Sequence, residues 1–340
     1  MDNLKQQFDD LVSKTKHIII TCHTNPDEDA IASVLSVYEY LSKTTKNKTI
    51  RMVIAPPVKP DWDFLKNANL IEWVDPANVT NNADLVIFND GQTRDRFSYT
   101  PEKIDLTKFK TIHFDHHPGP IDNFDLNIVD ISKPASVQLI AELLFADDKF
   151  LTPEVAEILM VGILGDTGNF NYLDYKKCSV LTTVQRIMEI GKIDIQVLDI
   201  KRNQFTNKVF ELYQILIANT KNISLPNFPP LSFSYLPKSV VDKYGYPTIS
   251  NAYHTYMSMI TRHIKDHPWG FIVVPGELGT DYFKIDFRST SLGPDVGQLA
   301  RDYFNGGGHK YASGGKFFPE KNEEVDTAVK KILEKLKKLK

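Results

Sequence analysis

The chain has 340 residues, 42% hydrophobic and 24% charged, ordinary globular usage that excludes disorder as the main state. At about 100–200 residues per domain, that length accommodates two domains. A net charge of −3 argues against a protein that coats long duplex nucleic acid by bulk charge, and leaves room for a small anionic substrate in a local pocket.

In chain order, the first half alternates short apolar runs with helical patterns. Ile18-Ile19-Ile20 opens the series, and a helical stretch comes next, from about Ala30 to Leu41. Met52-Val53-Ile54, Leu85-Val86-Ile87-Phe88, Thr111-Ile112-His113-Phe114 and Ile128-Val129 continue it. Bounded by polar and turn residues, these runs predict buried strands, and their alternation with helices predicts an α/β fold with a mostly parallel sheet. Two helices are expected beyond them, one from about Ala135 to Phe145, the other after Thr152-Pro153-Glu154, a cap with proline in the first turn.

Asn207 to Ala218 has helical spacing, and Leu225-Pro226-Asn227-Phe228-Pro229-Pro230 is rich in breakers. The expected division is a domain over 1–195, a helical linker over 196–224 and a second domain over 225–340. The second domain is predicted to hold a helix near Ala252–Ile264, strands at Phe271–Val274 and Tyr282–Phe287, and a helix near Val296–Phe304. A glycine run and a terminal amphipathic helix, with Val325, Val329, Ile332, Leu333 and Leu336 on one stripe, complete it.

Cys22 and Cys178 stand far apart and make neither a disulfide framework nor a zinc knuckle, which fits a reducing, cytoplasmic setting. The opening MDNLKQQFDD does not read as a signal peptide. The longest apolar stretch, around Ile158 to Leu164, falls far short of the roughly 20 residues that span a bilayer, so no membrane association is expected.

The acids and histidines gather at the ends of the predicted strands, the edge where open parallel sheets bind ligands. His23-Thr24-Asn25-Pro26-Asp27-Glu28-Asp29 places one imidazole and three carboxylates directly after the first strand, read either as an acidic helix cap or as a cation site. Asp90 comes just after the Leu85–Phe88 run. Asp115-His116-His117 ends the next strand, and neutral imidazole with carboxylate is a good transition-metal set. Gly165-Asp166-Thr167-Gly168 brings a carboxylate out of an apolar helix. Together the four clusters suffice for two divalent ions sharing a carboxylate, and their oxygen-rich donors suit Mn²⁺, with Mg²⁺ second.

His23-x-Asn25-Pro26-Asp27-x-Asp29, Asp90, Asp115-His116-His117 and Gly165-Asp166-Thr167-Gly168 resemble the DHH phosphoesterase family. Phe287-Arg288-Ser289 and Gly306-Gly307-Gly308-His309-x-x-Ala312-x-Gly314 resemble its associated substrate-binding domain. The resemblance implies a Rossmann-like sheet flanked by helices, linked to a smaller mixed α/β domain. It implies one Mn²⁺ on His23, Asp27 and Asp90 and another on Asp29, Asp90, His116 and Asp166, with Asp90 bridging. Asp115 would orient the histidines, His117 would face the scissile phosphate, and Arg96 matches an arginine of that loop. Arg288, Ser289, Gly306, Gly307, Gly308 and His309 would bind substrate. The nearest type within the family takes short oligoribonucleotides and 3′-phosphoadenosine 5′-phosphate (pAp), acting on RNA ends and adenosine nucleotides rather than long duplex DNA. Nothing in the sequence speaks against a homodimer.

One departure stands out: Glu28 occupies a position where the family usually has glycine. It is strained there, points outward, or adds a ligand. Cyclic di-AMP or its product pApA is the alternative substrate, and a non-catalytic nucleotide sensor the alternative of another class. His263 and His267 are four apart near one predicted helix without a third ligand, and His17 and His113 receive no role.

Overall fold

The computed structural model describes residues 2–56, 62–261, 263–276, 280–321 and 323–339. The chain divides into two compact units, Met1–Asn203 and Gln204–Lys340. The division falls inside the 196–224 stretch expected as a linker.

The first unit runs α1 (Asp2–Ser13), β1 (His17–Cys22), α2 (Glu28–Thr44), β2 (Thr49–Ile54), β3 (Glu72–Trp73), β4 (Leu85–Asn89), β5 (Lys110–Asp115) and β6 (Leu126–Val129). Then come α3 (Ser136–Leu144), α4 (Pro153–Asp166), α5 (Val180–Gly191) and α6 (Ile195–Asn203). The six strands are parallel, in the order β3-β2-β1-β4-β5-β6. Strands covered on both faces need no polar alternation, hence the unbroken runs. Ile18, Ile20, Leu85 and Ile87 point into a core shared with all six helices. Ile19, Val53, Val86 and Phe88 point the other way, onto Phe97, Ile104, Phe109 and Phe124 from short turns and loops. α4 begins as its sequence dictates: Thr152 accepts from the Val155 N–H and Pro153 occupies the first turn.

The second unit runs α7 (Asn207–Ala218), β7 (Lys221–Leu225), β8 (Phe228–Tyr235), α8 (Ser239–Tyr244), α9 (Tyr246–Met259), β9 (Trp269–Pro275) and β10 (Phe283–Ser289). It ends with α10 (Val296–Tyr303), β11 (Gly307–His309), β12 (Ala312–Phe317) and α11 (Val325–Lys338). Its six-stranded sheet has the order β11-β12-β10-β9-β8-β7 and is antiparallel except for the β8–β9 pair. α10 and α11 cover one face, α7 and α9 the other.

Two sequence expectations change. The breaker-rich 225–230 segment is a tight β7–β8 hairpin rather than a linker end. Pro229 and Pro230 sit at the start of β8, before its pairing with β9 begins at Leu231. The helix expected near 252–264 is shifted to 246–259, because Pro247 sets its start in the first turn, and it ends before His263 and His267. No helix among the described residues is long and apolar enough to cross a membrane.

Candidate metal centre

β1 and β4 are neighbours, and the connection from β1 leads one way along the sheet to β2 while that from β4 leads the other way to β5. The crevice at such a switch point, outside the carboxyl ends of the strands, is where doubly wound sheets bind ligands. His23 comes directly after β1, Asp90 directly after β4, Asp115 ends β5, and His116 and His117 are the next two residues. Asp27 caps α2, its side chain accepting from the Ala30 N–H at 3.1 Å. Asp166 is the last residue of α4. Asp90 holds a left-handed backbone (φ 60°), its N–H donating to the Phe114 carbonyl at 2.8 Å. A non-glycine residue tolerates that region at a cost, so the carboxylate's direction is dictated by the surrounding structure.

His23 Nε2 stands 3.5 Å from Asp90 Oδ2 and 3.9 Å from Asp27 Oδ2. His116 Nε2 stands 2.9 Å from Asp166 Oδ2, 3.6 Å from Asp90 Oδ1 and 3.9 Å from Asp29 Oδ2. Three sets offer ligand atoms within 4.8 Å of one another: His23, Asp27 and Asp90; Asp29, His116 and Asp166; and Asp90, His116 and His117. Asp90 and His116 each belong to two sets, so the sets form one continuous cluster. Asp29 is buried and takes the Ser136 N–H at 2.6 Å and the Val137 N–H at 2.9 Å, fastening it to the start of α3. Each carboxylate oxygen keeps a second lone pair. Asp115 Oδ1 accepts from the backbone N–H groups of His116 and His117 and lies 2.8 Å from His117 Nδ1. That contact turns the ring's Nε2 away from Asp115.

The electrostatics show what such a centre lacks without a cation. Burial disfavours a charged His23, yet Asp27 and Asp90 outweigh it and push its pKa up to about 10. His116 is likewise raised to about 10 against its burial, by Asp166, Asp90 and Asp29. Burial and neighbouring carboxylates push Asp166 up to about 6 and Asp29 well above the usual range. Asp90 goes the other way: His23, His116 and His117 outweigh its burial and hold it ionised. Carboxylates that favour the charged form of buried imidazoles would equally favour a divalent cation among them. His116 Nε2 is buried and, despite its proximity to Asp166, has no aligned hydrogen-bond partner. Imidazole nitrogen with carboxylate oxygen, without thiolate, fits a divalent cation.

Glu28 is the first residue of α2 with an ordinary helical backbone, so the expected strain is absent. Its carboxylate is paired with Arg202 and belongs to none of the three ligand sets. Arg96 lies in the turn after β4 with an exposed side chain, its carbonyl accepting from the Thr24 N–H at 2.7 Å. Two residues without an expected role brace the cluster. Ser136 Oγ donates to Asp90 Oδ1 at 3.0 Å. His113 is buried under Phe124, with Nε2 2.7 Å from the carbonyl of Gly91, the residue after Asp90. A histidine between Ile112 and Phe114 in the buried part of β5 is the signal that marks His113.

In the second unit, Arg288, Ala312 and His309 occupy one row across β10, β12 and β11. Directly opposed residues share a sheet face, which brings Arg288 and His309 to one surface. Arg288 Nη1 donates to Asp286 Oδ1 and to the Phe287 carbonyl. Ser289 is buried and its hydroxyl donates to the Pro294 carbonyl at 2.8 Å. Gly306 and Gly308 are demanded by packing: a Cβ would stand 1.9 Å from the Gly314 carbonyl oxygen and 2.7 Å from that of Ala312, respectively. Gly307 has no such constraint, a Cβ there meeting only Arg301 at 3.7 Å.

Residues 17–163 match the DHH family, N-terminal domain. The chain is 27% identical over 326 residues to the bifunctional oligoribonuclease and PAP phosphatase NrnA of Bacillus subtilis, covering 93% of this chain and 94% of that protein. It is 24% identical over 345 residues to the Mycoplasma genitalium protein of the same description, covering 97% and 96%. Among solved structures it resembles an exopolyphosphatase-related protein from Bacteroides fragilis, with TM-score 0.82 at 21% identity over 99% of this chain and 97% of that one. RecJ from Thermus thermophilus, solved with Mn²⁺, shares the fold at TM-score 0.50 and 13% identity, over 98% of this chain and 54% of that one.

Proposed function

We propose that this chain, whose residues 17–163 match the DHH family, is a metal-dependent phosphoesterase that hydrolyses short oligoribonucleotides to mononucleotides and pAp to AMP. The observation that carries this reading is the continuous cluster of three ligand sets, joined through Asp90 and His116, at the switch point of the parallel sheet. In this reading His23, Asp27 and Asp90 hold one Mn²⁺, and Asp29, Asp90, His116 and Asp166 hold the other. Bound there, the divalent cations supply Lewis acidity and a hydroxide at neutral pH.

The chain's own residues do the rest. Asp115 accepts from His117 Nδ1–H and fixes the ring, so Nε2 faces a non-bridging phosphate oxygen and donates to it when the ring is the doubly protonated imidazolium. A water-derived oxygen would bond to phosphorus as the bond to the ribose oxygen breaks, the ribose oxygen leaving as a hydroxyl with a proton from water, while the Nε2–H of the His117 imidazolium would neutralise charge on the phosphate. Arg96, exposed beside the His23 loop, binds a second phosphate. Arg288 and His309 read the nucleotide in the second unit, Arg288 through its two-pronged fork, with the Gly306–Gly308 backbone beside them. Ser289 serves there by holding its turn. The domain over 1–195 is thus catalytic and the one over 225–340 substrate-binding.

The test is a substrate panel. Purified protein with Mn²⁺, Mg²⁺ or chelator is offered pApA, a five-nucleotide RNA, pAp, cyclic di-AMP and pyrophosphate, and products are resolved by ion exchange. AMP from pApA and pAp, with cyclic di-AMP untouched and no turnover in chelator, is expected. Fast loss of cyclic di-AMP moves the protein to second-messenger turnover. No turnover of any substrate with either metal overturns the reading.

A further inference from the structure

Arg202 makes a connection that none of the catalytic roles above uses. It lies in the last turn of α6, and its side chain is only 5% exposed. Its guanidinium meets Glu28 in a two-pronged bond, Nε to Oε1 at 2.9 Å and Nη2 to Oε2 at 2.6 Å. The remaining prong, Nη1, donates to Asn169 Oδ1 at 2.7 Å. Glu28 stands between Asp27 and Asp29 at the start of α2. Asn169 stands three residues beyond Asp166, in a left-handed conformation (φ 52°), its N–H donating to the Leu164 carbonyl at 2.8 Å. The Glu28 side chain also lies flat against the last turn of α4: a Cβ on Gly165 would come within 2.6 Å of Glu28 Cβ.

One buried cation therefore joins the segment carrying Asp27 and Asp29 to the segment carrying Asp166. These segments are far apart in sequence, and Asp29 and Asp166 both face His116. Two carboxylates drawn around one point repel each other until a cation lies between them. Something besides the ligands must hold their backbones together, and a two-pronged arginine–carboxylate pair has the required directionality.

We propose that Arg202 is a positioning residue for the metal centre, clamping the start of α2 to the end of α4 through Glu28 and Asn169 so that Asp29 and Asp166 converge on one ion. This inference rests on the metal-centre reading above and adds a residue to it. Partners of this kind, acting through the ligands, typically set metal affinity by about 10–100-fold.

The experiment titrates Mn²⁺ into the full-length protein and monitors free Mn²⁺ by electron paramagnetic resonance. Wild type, Arg202→Ala, Arg202→Lys, Glu28→Gln and the double variant Glu28→Gln/Arg202→Ala are compared, with metal-free melting measured for each. Wild type that binds no Mn²⁺ overturns the metal-centre reading itself. With wild type binding, the clamp predicts that Arg202→Ala weakens at least one Mn²⁺ site by about tenfold or more. Glu28→Gln should weaken the same site, the double variant should be no worse than Arg202→Ala alone, and lysine should restore part of the loss. A merely structural arginine lowers metal-free melting but leaves the affinity of the folded variants within about twofold of wild type, and that result overturns the proposal. Should Arg202→Ala fail to fold, the decision rests on Glu28→Gln, which keeps shape and loses charge: unchanged affinity there overturns the clamp equally.

Discussion

Ser136 Oγ donates to Asp90 Oδ1 at 3.0 Å, while the Ser136 backbone N–H donates to Asp29 at 2.6 Å. One residue at the start of α3 thus fixes the carboxylate proposed to bridge the two ions and one proposed to serve a single ion. Ser136→Ala removes only the hydroxyl contact. The Asp90 carboxylate then loses its aim but not its charge, and Mn²⁺ affinity should fall by about tenfold. Isothermal titration of the folded variant measures this, and an unchanged affinity refutes the role.

Asp90→Asn is the sharper cut. Asparagine tolerates the left-handed backbone that Asp90 adopts, so the fold is kept while the charge is lost. Hydrolysis of pApA should drop by at least about a hundredfold, because both proposed ion sites lose a ligand at once. Circular dichroism checks that the fold survives, and turnover above a tenth of wild type argues against a bridging Asp90.

Protonation supplies a prediction with a definite sign. His23 and His116 have folded pKa values raised to about 10, above the unfolded value near 6.5. Their contribution to the metal-free protein is fully present below about pH 6.5 and is lost as pH rises toward 10. Metal-free protein should therefore melt at lower temperature at pH 9 than at pH 6.5. Mn²⁺ must displace those protons, so its affinity should rise about tenfold per pH unit for each proton displaced. Titrations in buffers of different ionisation enthalpy count the protons, and a pH-independent affinity removes these histidines from the ligand set.

Much of this centre could be read from the sequence because a parallel sheet makes position and chemistry coincide. Buried strands read as unbroken apolar runs, and the residues just past the end of each run must emerge at the sheet edge. His23, Asp90 and His116-His117 were legible for that reason. Arg202 was not. Its partner Glu28 lies 174 positions away, and α6, with Leu198 as its buried residue, carries little apolar periodicity. Ser136 escaped because a serine at a helix start ordinarily signals a cap, and only the fold brings it to Asp90. Pro229 and Pro230 misled because a proline can begin a strand ahead of its ladder.

Gly162 sets how closely α4 approaches its neighbours. A Cβ there would stand 2.8 Å from both Ala32 Cβ and Val137 Cγ1, too close for either to remain in place. Gly162→Ala should destabilise the metal-free protein by about 1–3 kcal/mol, the usual result of overpacking. Because Gly162 lies one turn before Asp166, the displaced helix end should weaken Mn²⁺ binding as well. Urea unfolding of metal-free protein gives the first quantity, and wild-type stability there contradicts the packing argument.

Arg288 tests the division of labour between the units. Asp286 and the Phe287 carbonyl hold its guanidinium on the row that ends at His309. A charge-assisted bond to substrate phosphate contributes about 1.5–3 kcal/mol, or about 10–100-fold. Arg288→Ala should raise KM for pAp by that factor, and Mn²⁺ affinity should stay within about twofold, since none of the proposed ligands belongs to the second unit. Arg288→Lys keeps the charge but loses the fork, so its KM should fall between the two. Were Arg288 there only to neutralise Asp286, Arg288→Ala would lower the melting temperature with KM unmoved, and Asp286→Asn/Arg288→Ala would restore stability. Measuring KM and melting on the same four proteins separates a substrate contact from a structural ion pair.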